Sequence, residues 1–193
     1  MVQSKKNFFN QIKIHSQYSI CEGALKIEDL KEYCKKNKIQ SVGISDTYNL
    51  SGALEFSESI SSVGTQPIIG SQILFKYKNN YGVIPLIAKN YKGYQNLIEL
   101  SSKAYLENHN NDNPHCSVGD LLKFGDGLIV LSGSINNLIG NLFNKGLFDY
   151  LDELKNLLKS KFNENFYLEI QRHGDLNEKQ FEHFNLVLSK KFK

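Results

Sequence analysis

A chain of 193 residues, 40% of them hydrophobic, is long and apolar enough to bury a core, which excludes a disordered polypeptide. Its 23 basic and 20 acidic side chains are mixed along the sequence and leave a net charge of +3, too small a bias to argue for a nucleic-acid surface. Three cysteines without a pairing pattern, and no apolar run near the ~20 residues that span a bilayer, speak against a disulfide scaffold and a membrane protein and favour a reducing, cytoplasmic setting.

Met1 to Asn10 carries lysines with no apolar stretch behind them, so no secretory signal is evident. Gln11 to His15 reads as a short strand. Ile27 to Lys36 places Ile27, Leu30 and Cys34 on one face at helical spacing. Gln40 to Ser45 is a second strand, ending at Asp46, and Ala53 to Ile60 is a helix. Pro67 to Phe75 and Gly82 to Ala88 read as strands joined in a hairpin across Lys78-Asn79-Asn80. Pro85 lacks a backbone N–H, which predicts an edge position or a bulge.

Asn90 to Leu106 is a helix with Leu97, Leu100 and Ala104 on one face. The Asn-rich stretch Glu107 to Ser117 reads as an exposed connection. Gly127 to Ser132 is apolar without alternation, as in a strand covered on both faces. Leu147, Tyr150, Leu151, Leu154 and Leu158 mark a strong helix. Phe166 to Ile170 is the next strand, and Glu178 to Phe192 the final helix. The alternation predicts an α/β fold with a largely parallel sheet, residues 1–193 forming one domain; pattern alone leaves a closed barrel and an open sheet as alternatives. The last helix has no strand after it, so a closed barrel would need further strands downstream.

In a parallel α/β barrel, reactive groups lie beyond the C-terminal strand ends. His15, Asp46 and His173 fall at such positions, and imidazoles with a carboxylate are the donor types that bind a divalent metal able to activate water. His109, His115 and Cys116 match no common zinc spacing. Gly125, Gly127 and Gly133 form no phosphate-binding loop. Tyr18, Tyr48 and Tyr94 fit either packing or base stacking, and Cys21 has no evident activating base.

A resemblance narrows these readings. It is carried by His15-Ser16-Gln17-Tyr18-Ser19 with Gly23, by Ser45-Asp46 with Asn49-Leu50-Ser51-Gly52, and by Pro67-Ile68-Ile69-Gly70. Leu86 to Asn90, Gly93 to Leu97 and Ser102 to Tyr105 add to it, as do Gly127 to Gly133 and Phe166 to Ile170 with His173-Gly174. In this order the segments resemble the N-terminal PHP (polymerase and histidinol phosphatase) domain of bacterial DNA polymerase III alpha subunits. The resemblance implies a distorted (βα)7 TIM-like barrel of the PHP type, incomplete at the C-terminus, with a metal cluster at its mouth in active members.

Carried over by position, the implied metal set is His15, Glu22, Asp46 and His173. Lys13 stands at the first His of the family's His-x-His motif, Glu22 at a usual Asp, Thr47 at a usual His and Gln72 at a usual Glu. An ammonium repels a cation, and two neutral substitutes remove donors. The altered set argues against an intact cluster and leaves room for a single weakly held Zn2+ or Mn2+. A vestigial site is therefore expected, and no catalytic residue is assigned to this segment.

The resemblance implies a segment of a replicative polymerase subunit. Template-directed synthesis with Mg2+ would reside in downstream domains, DNA contact would come through the full-length subunit, and the partners would be other polymerase III subunits, a proofreading exonuclease among them. The competing readings are an autonomous metal-dependent phosphoesterase or 3′–5′ exonuclease, and a non-enzymatic remnant of low solubility.

Overall fold

The computed structural model describes residues 9–107 and 113–191. The chain folds as two compact units, the first reaching Ser71 and the second starting at Gln72. The strand β2 (Gln66–Tyr77) runs through this boundary.

The first unit contains α1 (Ile27–Asn37), β1 (Ser41–Thr47) and α2 (Ala53–Ser61). Ile27, Leu30 and Cys34 of α1, Val42 and Ile44 of β1, and Phe56 and Ile60 of α2 form one buried cluster. These are the positions that a 3.6-residue period in the helices and a covered central strand bring together. Glu28 and Asp29 in the first turn of α1, and Lys35 and Lys36 in its last, suit the helix dipole.

The expected first strand, Gln11 to His15, is not a full strand. The segment runs parallel to β1 through one bridge, Ile14↔Ile44. The bonds Gly43 N→Gln11 O (2.7 Å), Ile14 N→Gly43 O (3.2 Å) and Ser45 N→Ile14 O (2.8 Å) hold it there. A Cβ on Gly43 would stand 2.7 Å from the Ile12 carbonyl oxygen, so the approach depends on glycine. The second strand runs past Ser45 and includes Asp46 and Thr47.

The second unit holds the rest of β2 and β3 (Asn80–Ala88), α3 (Tyr91–Leu106), β4 (Cys116–Ser117) and α4 (Val118–Lys123). After these come β5 (Leu128–Leu131), α5 (Leu138–Asn144), α6 (Phe148–Phe162), β6 (Phe166–Tyr167) and α7 (Glu178–Lys191). Its strands lie in the order β2-β3-β5-β6, with β4 also on β2. The core is built from Phe75, Ile84, Leu86, Leu97, Leu100, Leu121, Leu128, Leu142, Leu151 and Leu158, all buried.

The largely parallel sheet was an overstatement. The two-residue loop Lys78-Asn79 makes β2 and β3 antiparallel, and β3 pairs antiparallel with β5 from Leu86↔Val130 to Ala88↔Leu128. Parallel pairing joins β5 to β6 and β2 to β4. In neither unit does the sheet close on itself among the described residues. The hairpin expected across Lys78-Asn79-Asn80 is itself the reason, since a tight turn cannot deliver a parallel strand. Lys78 takes a left-handed backbone (φ 53°) in that hairpin, and its ammonium lies 3.9 Å from the Tyr150 ring centroid and pairs with Glu153, tying the turn to α6.

Pro85 is not on an edge: β3 lies between β2 and β5. The proline is tolerated because the ladder to β5 begins at Leu86, one residue beyond it. The strand Phe166 to Ile170 shortens to Phe166–Tyr167, since the Glu169 N–H turns to the Ser132 hydroxyl (2.8 Å) instead of continuing a ladder. Within the stretch read as a loop from Glu107 to Ser117, residues 108–112, and His109 with them, lie outside the described residues. Cys116 and Ser117 pair with Phe75 and Lys76, and Ser117 and Asp120 form a capping box that starts α4.

Cys34 and Cys116 are buried, while Cys21 is exposed. Burial, reinforced by the Asp120 charge, pushes the Cys116 thiol up to about 12. A maleimide at pH 8 is therefore expected to label Cys21 alone, and mass spectrometry of Cys21→Ser is expected to show no rapid adduct. Rapid labelling of a second thiol would contradict the placement of these side chains.

Candidate functional site

The candidate site of the first unit is built on three backbone features. The segment ending at Ile14 is fastened to β1, as described. A compact turn follows, closed by Ser19 N→Ser16 O (2.9 Å), Glu22 N→Ser19 O (3.0 Å) and Gly23 N→Ser19 O (2.8 Å). The chain then returns through Gln17 N→Leu25 O (2.8 Å). Gly23 is required there, because a Cβ would lie 2.0 Å from the Ser16 carbonyl oxygen.

Asp46 projects from the end of β1 into this turn and is 1% exposed. Its carboxylate accepts three hydrogen bonds. Oδ1 receives the Ser16 N–H and the Ser19 hydroxyl, both at 2.7 Å, and Oδ2 receives the Ser16 hydroxyl at 2.7 Å. A buried carboxylate without such donors would be strongly disfavoured, so the turn and the acid stabilise each other. Ser71 adds a bond from its hydroxyl to the Asp46 carbonyl oxygen (2.9 Å).

His15 and Glu22 lie at the rim, about one third and one half exposed. His15 Nδ1 is 3.2 Å from Ser19 Oγ, 3.3 Å from Glu22 Oε2 and 3.4 Å from Thr47 Oγ1. The Ser19 proton is committed to Asp46 and the Thr47 proton to Glu22. Nδ1 of His15 must therefore carry a proton and donate. The result is a chain of donors and acceptors running Asp46–Ser19–His15–Glu22–Thr47.

The structure thus brings His15, Glu22 and Asp46 into one network, with Thr47 as a member. His173 belongs to the second unit, where its ring Nε2 lies 3.1 Å from Gln171 Oε1 and its backbone N–H donates to Glu178 (2.6 Å). That bond and one from Gly174 hold the Glu178 carboxyl below the usual range. Lys13 is half-buried, and Gln72, in the second unit, is buried. Of the tyrosines weighed for base stacking, Tyr18 lies against Gly52, where a Cβ would meet its ring at 2.6 Å, and donates to Glu55 (2.6 Å).

Within the first unit the carried-over metal positions are engaged in hydrogen bonds. The Asp46 oxygens already face three donors. Among the described residues, no group of three or more His, Cys, Asp or Glu side chains is placed to hold a metal ion.

Ser16 and Ser19 are central to the site, yet their sequence carried no role for them. Their three-residue spacing, which allows both hydroxyls to point into one turn, was the available signal. Ser45, by contrast, buries a hydroxyl that has no hydrogen-bond partner among the described residues. Ser45→Ala is expected to leave stability unchanged or to raise it by up to ~1 kcal/mol in urea unfolding. A loss above that size would mean that the hydroxyl is bonded.

Comparison with known proteins gives a consistent picture. The family model described as PHP domain matches residues 11–173. DNA polymerase III subunit alpha of Borreliella burgdorferi is 37% identical over 186 residues, covering 89% of this chain and 16% of that protein. The Vibrio cholerae subunit is 30% identical over 187 residues, covering 95% of this chain and 16% of its own length. The chain thus spans about 16% of the length of these relatives. Among solved structures, a candidate metal-dependent phosphoesterase from Bifidobacterium adolescentis superposes with a TM-score of 0.59 at 14% identity, covering 95% of this chain and 83% of that one. At that identity the likeness concerns the mixed α/β fold alone. No helix among the described residues is long and apolar enough to cross a membrane.

Proposed function

Since the chain belongs to the PHP domain family and is homologous to the N-terminal region of DNA polymerase III alpha subunits, we propose that it serves DNA replication as a structural segment of such a subunit. On this reading it supports the polymerase and offers a docking surface to other subunits, the proofreading exonuclease foremost. Nucleotidyl transfer with Mg2+, and contact with DNA, belong to the longer protein in the cytoplasm. The distorted PHP barrel expected from the family is part of the same reading.

The observation that supports it is the state of Asp46. An acid that already accepts three hydrogen bonds from Ser16 and Ser19 has only about one of its four lone-pair positions left, on Oδ2, for a cation. His15, Glu22, Asp46 and His173 are then the remains of a metal site. His15 and Glu22 instead extend the hydrogen-bond chain that fixes the turn.

The competing reading is a metal-dependent phosphoesterase or 3′–5′ exonuclease. Purified protein is assayed with Mn2+ or Zn2+ on a labelled primer and on a phosphate monoester. The expected result is no turnover above the blank, unchanged in His15→Ala. Metal-dependent turnover that disappears in His15→Ala would replace the scaffold reading with the enzyme. Titration against a purified proofreading exonuclease subunit tests the docking role, with saturable binding expected and none contradicting it.

A further inference from the structure

Helix α3 turns one long face away from the core of the second unit. With Ile98 as its midline, Tyr91, Gln95, Ser102 and Tyr105 fall within about 60° of that line, and no charged residue of the helix does. Tyr91 (74% exposed), Ile98 (42%) and Tyr105 (52%) recur every seventh residue. Gln95 and Ser102 between them are exposed as well. The strip is about 21 Å long, and the helix's only acid, Glu99, lies about 100° round from it.

One end of this strip is basic. Lys89 and Lys92 are exposed at the start of α3, whose first turn carries no acid. Lys89 donates to the Asn165 side chain (3.0 Å), and neither lysine forms an ion pair among the described residues. Asp126, whose charge reaches Lys92, is already bonded to Lys161 (2.8 Å). The turn before β5 and the segment before β6 adjoin the same end, through Lys89 N→Gly127 O (2.9 Å) and the Asn165 bond. They add Lys123, Lys159 and Lys161 against Asp126 and Glu164, so the local balance stays positive. At the other end Glu107 pairs with Lys103, which also lies 3.4 Å from Asp120.

We propose that the outer face of α3 receives an amphipathic helix of another protein, its apolar stripe on Tyr91, Ile98 and Tyr105 and its acidic end on Lys89 and Lys92. Apolar anchors at seven-residue spacing suit a facing helix, and opposite charge at one end fixes its direction. A second copy of this chain lacks that complement. Paired parallel, it sets lysines against lysines; paired antiparallel, it offers Lys103 and Glu107, already joined to each other. A phosphodiester strand calls for positive charge along the strip, which carries none. The proposal rests on the docking role given above, but not on the exonuclease as the docking subunit.

The test is fluorescence anisotropy of the 193-residue protein with three labelled helical peptides of about 20 residues. Each has leucines along one stripe and glutamines elsewhere, and its terminal turn is glutamate, lysine or uncharged. Saturable binding of the glutamate-ended peptide is expected, with the uncharged one about tenfold weaker and the lysine-ended one weaker still. Ile98→Asp is expected to weaken the glutamate-ended peptide by about tenfold or more. Lys89→Glu together with Lys92→Glu is expected to make the lysine-ended peptide the preferred one. No saturable binding of the glutamate-ended peptide, equal affinity for all three, or affinity that survives Ile98→Asp would overturn the proposal. Displacement of the peptide by a single-stranded oligonucleotide would overturn it in favour of nucleic acid. A dimer that dissociates in Ile98→Asp, seen by sedimentation, would give the face to a second copy instead. Should Ile98→Asp fail to fold, the preference of the double lysine variant decides. Binding of the exonuclease subunit without peptide binding would sink this proposal and leave the docking role. Peptide binding without the exonuclease would remove that partner and leave this face.

Discussion

Replacing Asp46 with alanine is expected to destabilise the protein by about 4 kcal/mol, a large part of the stability of an ordinary domain. The substitution strands the Ser16 N–H, the Ser16 hydroxyl and the Ser19 hydroxyl in a buried setting. Each hydrogen bond to a charged group contributes roughly 1.5–3 kcal/mol, and the bonds are not additive because the same turn makes all of them. Asp46→Asn keeps one acceptor oxygen but places an amide N–H against a donor. It is expected to cost about half as much. Urea unfolding measures both. The informative feature is indifference to metal: the losses should be the same with chelator and with Mn2+. A cost for Asp46→Ala below ~1 kcal/mol would show that the turn does not depend on this acid.

Gly93→Ala is the second large effect, and its sign runs against helix propensity. In an exposed helix the change gains up to ~1 kcal/mol. Here Gly93 lies in the first turn of α3, where Asn90 caps the helix by accepting its N–H (2.9 Å). A Cβ at Gly93 would fall 1.9 Å from the Gly127 carbonyl oxygen and 2.6 Å from its carbon. That oxygen is fixed by the Lys89 N–H (2.9 Å), and Gly127 has a left-handed backbone with φ 76°. Neither backbone can withdraw without breaking a cap or a turn. A loss of about 3 kcal/mol is expected. Gly119→Ala is the control: the nearest contact of its Cβ is the Ser117 hydroxyl oxygen at 3.4 Å. It should be neutral or stabilising by a few tenths of a kcal/mol. Equal effects of the two substitutions would contradict the close approach of α3 to the turn before β5.

These residues also show what the sequence made legible. The helices around Ile27, Leu97, Leu151 and Phe181 were readable because their apolar positions recur at helical spacing. The hairpin at Lys78-Asn79 is legible from its turn residues, and strand–helix alternation elsewhere in the chain hides the antiparallel direction that it imposes. Helix α4 carries a capping box at Ser117 and Asp120, which the Asn-rich stretch before it obscured. Helix α5 is seven residues long with Gly140 inside, too short for a period to emerge. Strand β6 stopped early because a side chain, Ser132, captured the Glu169 N–H, and such a long-range competitor leaves no local trace.

The site divides similarly. Asp46 and His15 were legible as the polar ends of apolar segments. Ser16 and Ser19 were not, because they meet Asp46 only after 30 and 27 residues of chain have folded. Serine is common in turns for local reasons, so its type alone carries little information. The substitutions Lys13 and Thr47 marked a change in the site, but not what took its place. The structure supplies that: Thr47 donates to Glu22, and His15 donates across the same rim.

The most direct measurement is the melting temperature of the purified protein in chelator, in excess Mn2+ and in excess Zn2+, at one fixed concentration of alkali salt, alongside elemental analysis of the dialysed sample. A turn fastened by Asp46, Ser16 and Ser19 requires the same midpoint in all three and no stoichiometric divalent metal. A saturable rise of several degrees, with one or more equivalents of metal retained and lost in Asp46→Asn, would contradict it.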